Sequence, residues 1–377
     1  MVKRIGIILW IGFSLAAKSA VGQIKTPWYK KLNPDSLFSS NLKVIAVPTI
    51  QNAPETSWNF GAGVTYYFNT DKRPDSLATT RTSTLVATAG YSLRRQLQLE
   101  GRWQIFTNKE RMLYRGTVAY SNFFDRFWGI GNNAPAEDLS EFSFTRIQVQ
   151  ANALKRVHSN IFLGLNYQLS VFQDLDWFSQ SSNLDLPRLN GSTGNRVSGL
   201  GPNVVIDFRN NPYSATTGYF AEFSAVYYRN GLGSSHDFDE YLIDLRYYIS
   251  LPRKHVLAFQ TFGNFTNSDV PFRELPRLGG PQIMRGYFNG RFLDRNLLAT
   301  QAEYRMPIWK FVACSFFASA GQVAPYVSEF KMANFKVAYG AGLRLRLNAK
   351  ENIYVRFDYA RTTDGQSGFY IRVNDAF

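Results

Sequence analysis

The sequence has little of the chemistry that metal centres and disulfide scaffolds need. It contains one cysteine, Cys314, and three histidines in 377 residues. A single cysteine excludes a disulfide within the chain and a cysteine-based metal site, and Cys314 is expected to pack as a small hydrophobic residue in its apolar surroundings. His158, His236 and His255 fall in turns or at strand ends, without the convergent ligands that a metal site requires. We therefore predict neither a metal nor another cofactor.

Catalytic motifs are equally scarce. The segment Ser234-Ser235-His236-Asp237 holds the residue types of a catalytic triad. Neighbours in sequence seldom form a triad, because its members converge from separate segments. The sequence also lacks a Gly-x-x-x-x-Gly-Lys loop that would cradle phosphates. We predict that the protein is not an enzyme.

Apolar runs of helix length are missing as well. The longest run near the start, Ile5–Ala17, is shorter than the ~20 residues that a membrane-spanning helix needs. A basic pair precedes it, and Ala20-Val21-Gly22 follows as a small-x-small cleavage site. These features predict a secretory signal peptide at 1–22 rather than an N-terminal anchor. The residue after the predicted cleavage site is Gln23 and not a cysteine, so lipoprotein processing is not expected.

What the chain does have is a large apolar and aromatic content. Hydrophobic residues make up 45% and aromatic residues 16%, with 31 Phe and 21 Tyr, yet the mean hydropathy is −0.23. A soluble protein could bury this content only in large cores, and would usually show helical periodicity. A transmembrane β-barrel accounts for it more simply, because its outer face is apolar, its lumen is polar and aromatic girdles mark both interfaces.

Basic residues outnumber acidic ones, with 42 Lys and Arg against 28 Asp and Glu and a net charge of +14. Such a charge can indicate nucleic-acid binding. Here the basic residues are spread one or two per strand, and they form no Lys/Arg-rich run. We therefore favour lumen-lining charges and contacts to anionic lipid head groups over nucleic-acid binding.

Alternation with a period of two is the dominant local pattern. Within 335–347, Leu343 and Leu345 fall on one face while Arg344 and Arg346 fall on the other. A helix would mix these faces, since its period is near 3.6, so the pattern indicates a strand with one apolar face. The same alternation recurs at 97–105, 243–249 and 353–359.

These patterns predict an all-β chain whose signal peptide is followed by a short periplasmic N-terminal segment, 23–40. A single transmembrane antiparallel β-barrel of about sixteen strands then occupies 41–377, in line with the even strand numbers of single-chain bacterial barrels. The longest breaks between strands are 173–195 and 267–295. Both follow odd-numbered strands, so a periplasmic N-terminus would place them on the extracellular side.

The chain ends in an amphipathic pattern that predicts a last strand at 368–376. Phe369, Ile371 and Val373 share one face, and the final residue, Phe377, is aromatic. A closing strand of this type is the usual recognition signal for the barrel-assembly machinery. The alternative is an ordinary amphipathic strand that happens to end the chain.

The segment 278–305 carries a family resemblance. Leu278-Gly279-Gly280 leads to Met284-Arg285-Gly286-Tyr287, and Ala302-Glu303-Tyr304-Arg305 follows. This order resembles the BamA/TamA superfamily, also called the bacterial surface antigen family, which includes the two-partner secretion transporters. The resemblance implies that Arg285, Gly286 and Tyr287 lie on the sixth extracellular loop, folded back into the lumen as a plug. It also implies a salt bridge between Arg285 and Glu303 on the following strand.

A second segment resembles the family's turn between strands eight and nine. The matching residues are Asp207, Arg209, Asn211, Pro212 and Gly218.

Further residues refine the resemblance. The stretch from Ala46-Val47-Pro48 to Pro54-Glu55-Thr56 is similar to the barrel start of Bacteroidetes-type members. Two features depart from the family. About twenty residues separate the predicted cleavage site from the first strand, too few for a POTRA domain. The strand after the motif reads Ser319-Ala320-Gly321 where members often carry Asp-Ala-Gly, so a second acidic partner for Arg285 is not expected there.

The resemblance implies a barrel in the cell outer membrane that aids insertion or transport of outer-membrane or surface molecules. The alternatives are a passive pore or structural barrel, and a membrane anchor for a separate soluble partner. Expected partners are outer-membrane lipids and lipopolysaccharide, the barrel-assembly machinery during biogenesis, and client outer-membrane proteins or a soluble periplasmic or surface protein. No nucleic acid is expected.

Overall fold

The computed structural model describes residues 44–53, 57–71, 80–348, 353–373 and 375–377. The predicted signal peptide and the predicted segment 23–40 lie outside these residues. Within them the chain forms a closed barrel of sixteen antiparallel strands in sequence order. The strands are β1 Val44–Ala53, β2 Ser57–Phe68, β3 Ser83–Ser92, β4 Leu97–Phe106, β5 Met112–Phe127, β6 Ser140–His158, β7 Ile161–Ser179, β8 Asn195–Asp207, β9 Gly218–Tyr228, β10 Phe238–Leu251, β11 His255–Thr266, β12 Asn296–Trp309, β13 Val312–Ala324, β14 Lys336–Asn348, β15 Ile353–Thr362 and β16 Ser367–Val373.

Helix plays a minor part in the described residues. The helical pieces are three-residue 3₁₀ turns in the connections between strands. No helix in the described part of the chain is both long and apolar enough to cross a membrane. The predicted all-β fold with about sixteen strands is confirmed.

The barrel wall turns its apolar side chains outward. On β14, Leu343 and Leu345 are exposed, whereas Arg344 between them is buried in the lumen. The same exposure of large apolar side chains recurs around the wall at Leu85, Leu99, Val118, Ile147, Leu163, Leu245 and Phe316. An apolar outside around a polar inside is the arrangement of a transmembrane barrel.

Strands β5, β6 and β7 are longer than their sequence pattern predicts. The pattern predicts them at 111–122, 142–155 and 159–172. In the structure β5 extends to Phe127, β6 begins at Ser140, and β7 extends to Ser179. In the extensions of β5 and β7 the inward face is largely aromatic: Phe127 is buried, and Phe123 and Trp177 pack partly buried against the same cluster. The period-two contrast between faces therefore weakens, although the strand continues.

The long break at 267–295 runs into the barrel, and we call it the lumen loop. Its two-residue strands Arg277–Leu278 and Phe292–Leu293 pair with each other. At one end of the loop, Phe272 packs inside an aromatic cluster from β5, β6 and β7. Further along, Met284 and Tyr287 are fully buried. The predicted plugging of the lumen by this loop is confirmed.

The closure of the barrel is uneven. β1 has ten register pairs with β2, and β15 has seven with β16. Between β1 and β16 the described residues contain one pair, Asn52 with Phe369. We call this junction the seam. Within the part of the chain that the structure describes, the seam therefore has far fewer ladder pairs than the two neighbouring junctions.

The last strand ends before the predicted position. β16 stops at Val373, and Phe377 is buried against Ala215, Tyr248 and Ala258. Ala258 is the register partner of Glu303, a lumenal residue, and register partners point to the same face. The prediction of a strand through residue 376 with Phe377 at its end is therefore wrong for Phe377, because this ring is drawn into the lumen. We call 375–377 the C-terminal segment.

We predict that the refolded protein gives a circular dichroism spectrum dominated by strand. It should also migrate faster in detergent gels before heating than after, because the closed ladder resists detergent until heated. A spectrum dominated by helix, or identical migration of boiled and unboiled samples, would contradict the barrel.

Candidate functional site

The lumen loop reaches its deepest point at a turn that only certain residues can form. Met284 and Gly286 both have positive φ, at 56° and 108°. A Cβ atom added to Gly286 would lie 3.0 Å from Thr362 Cγ2 and 3.4 Å from the carbonyl carbon of Ala360. The backbone N–H of Gly286 donates to the Tyr370 hydroxyl at 3.1 Å. Glycine thus permits both the backbone conformation and the close approach of the loop to β15 and β16.

Arg285 extends from this turn into a closed site. Its Nη2 lies 2.9 Å from Glu303 Oε2, and its Nη1 lies 2.8 Å from Asp358 Oδ2. The guanidinium carbon stands 3.4 Å from the centre of the Phe317 ring. The Arg285 side chain is 1% exposed, and both carboxylates are fully buried. Charge-assisted pairs of this length are strong, and the aromatic face adds a cation–π contact.

Glu303 binds three guanidinium groups. Besides Arg285 on Oε2, its Oε1 accepts Arg305 Nε and Arg344 Nη2, both at 2.7 Å. Asp358 is likewise shared, since it also pairs with Arg356. A buried carboxylate is stable only when it is paired and hydrogen-bonded, and these arginines provide the pairing.

The network continues to the end of the barrel that carries the connections after the even-numbered strands, such as that between β8 and β9. Asp375 Oδ1 accepts Arg344 Nε at 2.7 Å, and its Oδ2 lies 3.0 Å from Arg305 Nη1. Ser214 Oγ, in the connection between β8 and β9, donates to Asp375 Oδ2 at 2.6 Å. Arg305 Nη2 donates to the main-chain oxygen of Phe377 at 3.1 Å. One continuous chain of ion pairs therefore joins the lumen loop to the C-terminal segment.

The motif analysis did not predict Asp358 as an acidic partner of Arg285. The expected position on β13 carries Ser319, and the carboxylate comes instead from β15. The available signal was a basic and an acidic residue two apart, Arg356 and Asp358, on the polar face of an amphipathic strand. The alternating pattern places both side chains in the lumen. It does not show that Asp358 meets Arg285 of the lumen loop, which lies 73 residues earlier in the chain.

The predicted turn residues form a compact anchor beside this network. Arg209 Nε and Nη2 bind the two carboxylate oxygens of Asp207 at 2.8 and 3.1 Å, and Arg209 Nη1 reaches the Pro212 carbonyl at 3.4 Å. Arg81, from the connection before β3, adds a pair to Asp207 at 2.7 Å. The turn is thereby attached through Arg81 to the connection between β2 and β3.

Asn211 and Gly218 shape the backbone of the same turn. Asn211 Oδ1 accepts the N–H groups of Tyr213 and Ser214 at 2.7 and 2.9 Å. Gly218 has φ of 97°, and an added Cβ would lie 2.1 Å from the Phe208 carbonyl oxygen. These contacts present Ser214 to Asp375, so the turn belongs structurally to the lumenal network.

Tyr287, the third motif residue, packs where it cannot ionise. Its side chain is fully buried, with its ring edge-on to Phe292 at 5.8 Å between centroids. Burial is the main cause that raises the pKa of Tyr287 to about 12. At neutral pH the hydroxyl therefore remains protonated, and Tyr287 acts as an apolar wedge with a polar tip.

The residues predicted as an assembly signal separate into two places. Phe369, Ile371 and Val373 lie on β16, in register with Tyr359, Phe357 and Val355 of β15. Tyr359 is 53% exposed, so this face points to lipid. Phe377 stands apart inside the barrel, where the Arg305 guanidinium carbon lies 5.6 Å from its ring centre.

Comparisons with known proteins agree with this architecture. A model described as the Omp85 superfamily domain matches residues 85–377. Similar solved structures include BamA from Haemophilus ducreyi lacking POTRA domains 1-3, with 16% identity, a TM-score of 0.53 and coverage of 88% of this chain and 68% of that one. They also include CdiB from Acinetobacter baumannii, with 14% identity, a TM-score of 0.54 and coverage of 88% and 60%. CdiB from Escherichia coli has 10% identity, a TM-score of 0.55 and coverage of 88% and 62%.

At these identities the likeness concerns the fold. The chain spans less than two thirds of either CdiB chain. Comparison with curated protein sequences gives no match.

We predict that Arg285→Ala leaves a folded barrel but loosens the lumen loop. Removing one partner of a buried ion pair leaves uncompensated charge and costs about 3–5 kcal/mol. Limited proteolysis of the loop in intact, heat-modifiable barrels should therefore be much faster than in the parent. A suitable control is Arg188→Ala, because Arg188 forms an ion pair with its side chain 88% exposed and such pairs contribute at most ~1 kcal/mol. Equal cleavage of the loop in all three proteins would contradict the site.

We also predict that the two carboxylates differ in importance. Glu303→Gln removes a charge that binds three guanidinium groups, whereas Asp358→Asn removes one that binds two. Glu303→Gln should therefore lower the urea midpoint in detergent more than Asp358→Asn. Asp185→Asn, on an exposed pair, is the matched control and should change little. The reverse order of the first two variants would refute the central place of Glu303.

Proposed function

Because the chain belongs to the Omp85 superfamily of outer-membrane β-barrels, we propose that it aids the insertion or transport of other outer-membrane or surface molecules. The family and the outer-membrane location predicted from the sequence are thereby confirmed. The more specific role is supported above all by the seam, which has one register pair in the described residues, whereas every other junction of the wall has at least seven.

An open seam can act as a template for a strand. In lipid, each unpaired backbone N–H or C=O group costs several kcal/mol, and a sheet edge offers a row of them to any chain that can pair. Among the described residues, β1 has ten register pairs with β2 on one side and one with β16 on the other. An incoming strand from a client could therefore pair with the free edge of β1 or β16 while it enters the bilayer.

The filled lumen argues for the seam as the working surface. Passage through the lumen would require the lumen loop to leave its site, and this would separate Arg285 from two fully buried carboxylates. A passive pore is the main alternative, and it would be indicated by wide and steady openings in single-channel conductance measurements. A membrane anchor for a soluble partner is the second alternative, and in that role seam opening would be unnecessary.

The proposed partners follow from this role. They are client outer-membrane proteins or a soluble periplasmic or surface protein, together with the lipids and lipopolysaccharide around the wall. The barrel-assembly machinery would act during biogenesis of the chain itself. No catalytic step and no cofactor is part of the proposed function.

A disulfide across the seam tests the proposal. Asn52 and Phe369 are register partners, and cross-strand partners lie close enough for a disulfide. In a Cys314→Ala background, N52C/F369C should lock the seam. In the strain that encodes the chain, quantitative mass spectrometry of outer-membrane and surface proteins should show the same set reduced in the locked variant as in a deletion strain.

The matched control is T261C/T300C, since Thr261 and Thr300 are register partners in the closed wall between β11 and β12. It should behave like the parent. If the locked seam supports normal levels while the deletion does not, the seam mechanism is wrong. If the deletion changes only uptake of small solutes and the purified barrel conducts widely, the protein is a pore.

A further inference from the structure

The short turns at one end of the barrel carry a one-sided charge. Here lie the connections that follow β2, β4, β6, β8, β10 and β12, and we call this end the turn rim. Its exposed charged side chains are Lys109, Arg111, Lys155, Arg253, Lys254 and Lys310. The acidic residues of the same described connections, Asp71, Glu110 and Asp207, are buried. In the described part of the chain, the turn rim therefore presents strong positive charge to its surroundings.

The opposite end has no such bias. Exposed acidic residues in or beside its loops include Glu137, Asp174, Asp185, Asp237, Asp269 and Glu329. Exposed basic residues such as Arg188 and Lys331 lie among them. The net charge of +14 is thus unevenly placed, and the excess of exposed positive charge belongs to the turn rim.

The cations stand at the border of the apolar outer face. Lys155 is the register partner of Leu163, which is 47% exposed on the lipid side, so Lys155 also points outward. Close to the cations, Val157, Ile308 and Trp309 are 56%, 58% and 74% exposed. Aromatic residues favour the membrane–water interface, and long basic side chains reach from there to the head groups.

The described cations extend along the rim from β4 to β13 instead of forming one small patch. They come from the connections β4–β5, β10–β11 and β12–β13 and from the end of β6. A bound protein would cover one sector of the rim, whereas lipid surrounds all of it. We propose that the turn rim binds anionic phospholipid head groups in the leaflet next to it, and so prefers phosphatidylglycerol to phosphatidylcholine as its neighbouring lipid.

Tryptophan fluorescence provides the test. Trp309 is exposed at the rim, and a Trp309→Phe variant isolates its share of the signal from the other six tryptophans. The full barrel is reconstituted in bilayers that contain brominated phosphatidylglycerol or brominated phosphatidylcholine at equal mole fraction. Attraction between a basic side chain and an anionic surface corresponds to about a fivefold change in binding per residue. We expect phosphatidylglycerol to be preferred near Trp309 by at least about fivefold at low salt.

Two matched triple variants locate the effect. R253Q/K254Q/K310Q removes rim cations near Trp309 and should abolish the preference. R95Q/R188Q/K331Q removes three exposed cations at the loop end and should leave it unchanged. Heat-modifiable migration shows that each variant is folded. If the rim variant does not fold, the salt dependence of the parent remains decisive, since high salt should weaken the preference.

Three results would overturn the proposal. They are equal quenching by both lipids in the parent, a preference that survives in the rim variant, and a preference that is insensitive to salt. Any of them would leave an acidic protein as the better match for the rim charge.

Discussion

The interior of this barrel depends on the burial of one carboxylate, Glu303. A buried charge is costly unless it is paired, and Glu303 is fully buried with three guanidinium groups around it. Those arginines come from the lumen loop, from β12 itself and from β14. None of them can move without leaving Glu303 partly unpaired. The carboxylate therefore fixes the loop, the wall and, through Asp375, the C-terminal segment with respect to one another.

Buried ion pairs hold the lumen loop at two places. Around Arg285 it is held by the pairs to Glu303 and Asp358 and by the Gly286 backbone contact with Tyr370. Around Phe272 it is held by apolar packing against β5, β6 and β7 and by the pair of Arg273 with Asp125 at 2.6 Å. Apolar packing is non-directional, whereas ion pairs require a set geometry. The geometry of the loop is therefore set by ion pairs at both places.

The same network explains how β16 keeps its place beside an open seam. In the described residues its ladder to β1 contributes one register pair, so less strand pairing orders it on this side than orders the other strands. Contacts from the lumen replace it, since Tyr370 meets the loop at Gly286 and the following Asp375 binds Arg305 and Arg344. A strand held from inside can leave its edge available without losing its position.

The alternating residue pattern predicted the barrel and its approximate strand number, whereas the loop that carries Arg285 was implied by the family resemblance. The physical reason is that lipid on one side and a polar lumen on the other make apolar and polar side chains alternate along each strand. This alternation can be recognised in the sequence without knowing which strands are neighbours. Glu303 was also accessible, because a carboxylate on an amphipathic strand must face inward.

Only the tertiary structure decided which distant residues meet. Asp358 and Asp375 join Arg285 and Glu303 through closure of the wall, and no local pattern encodes a pairing across 73 residues. Phe377 was predicted to close the last strand, yet it lies in the lumen beside Arg305. The extensions of β5 and β7 were missed for a related reason: their inner faces carry Phe127 and Trp177, which pack against Phe272 of the lumen loop, so the contrast between an apolar and a polar face disappears.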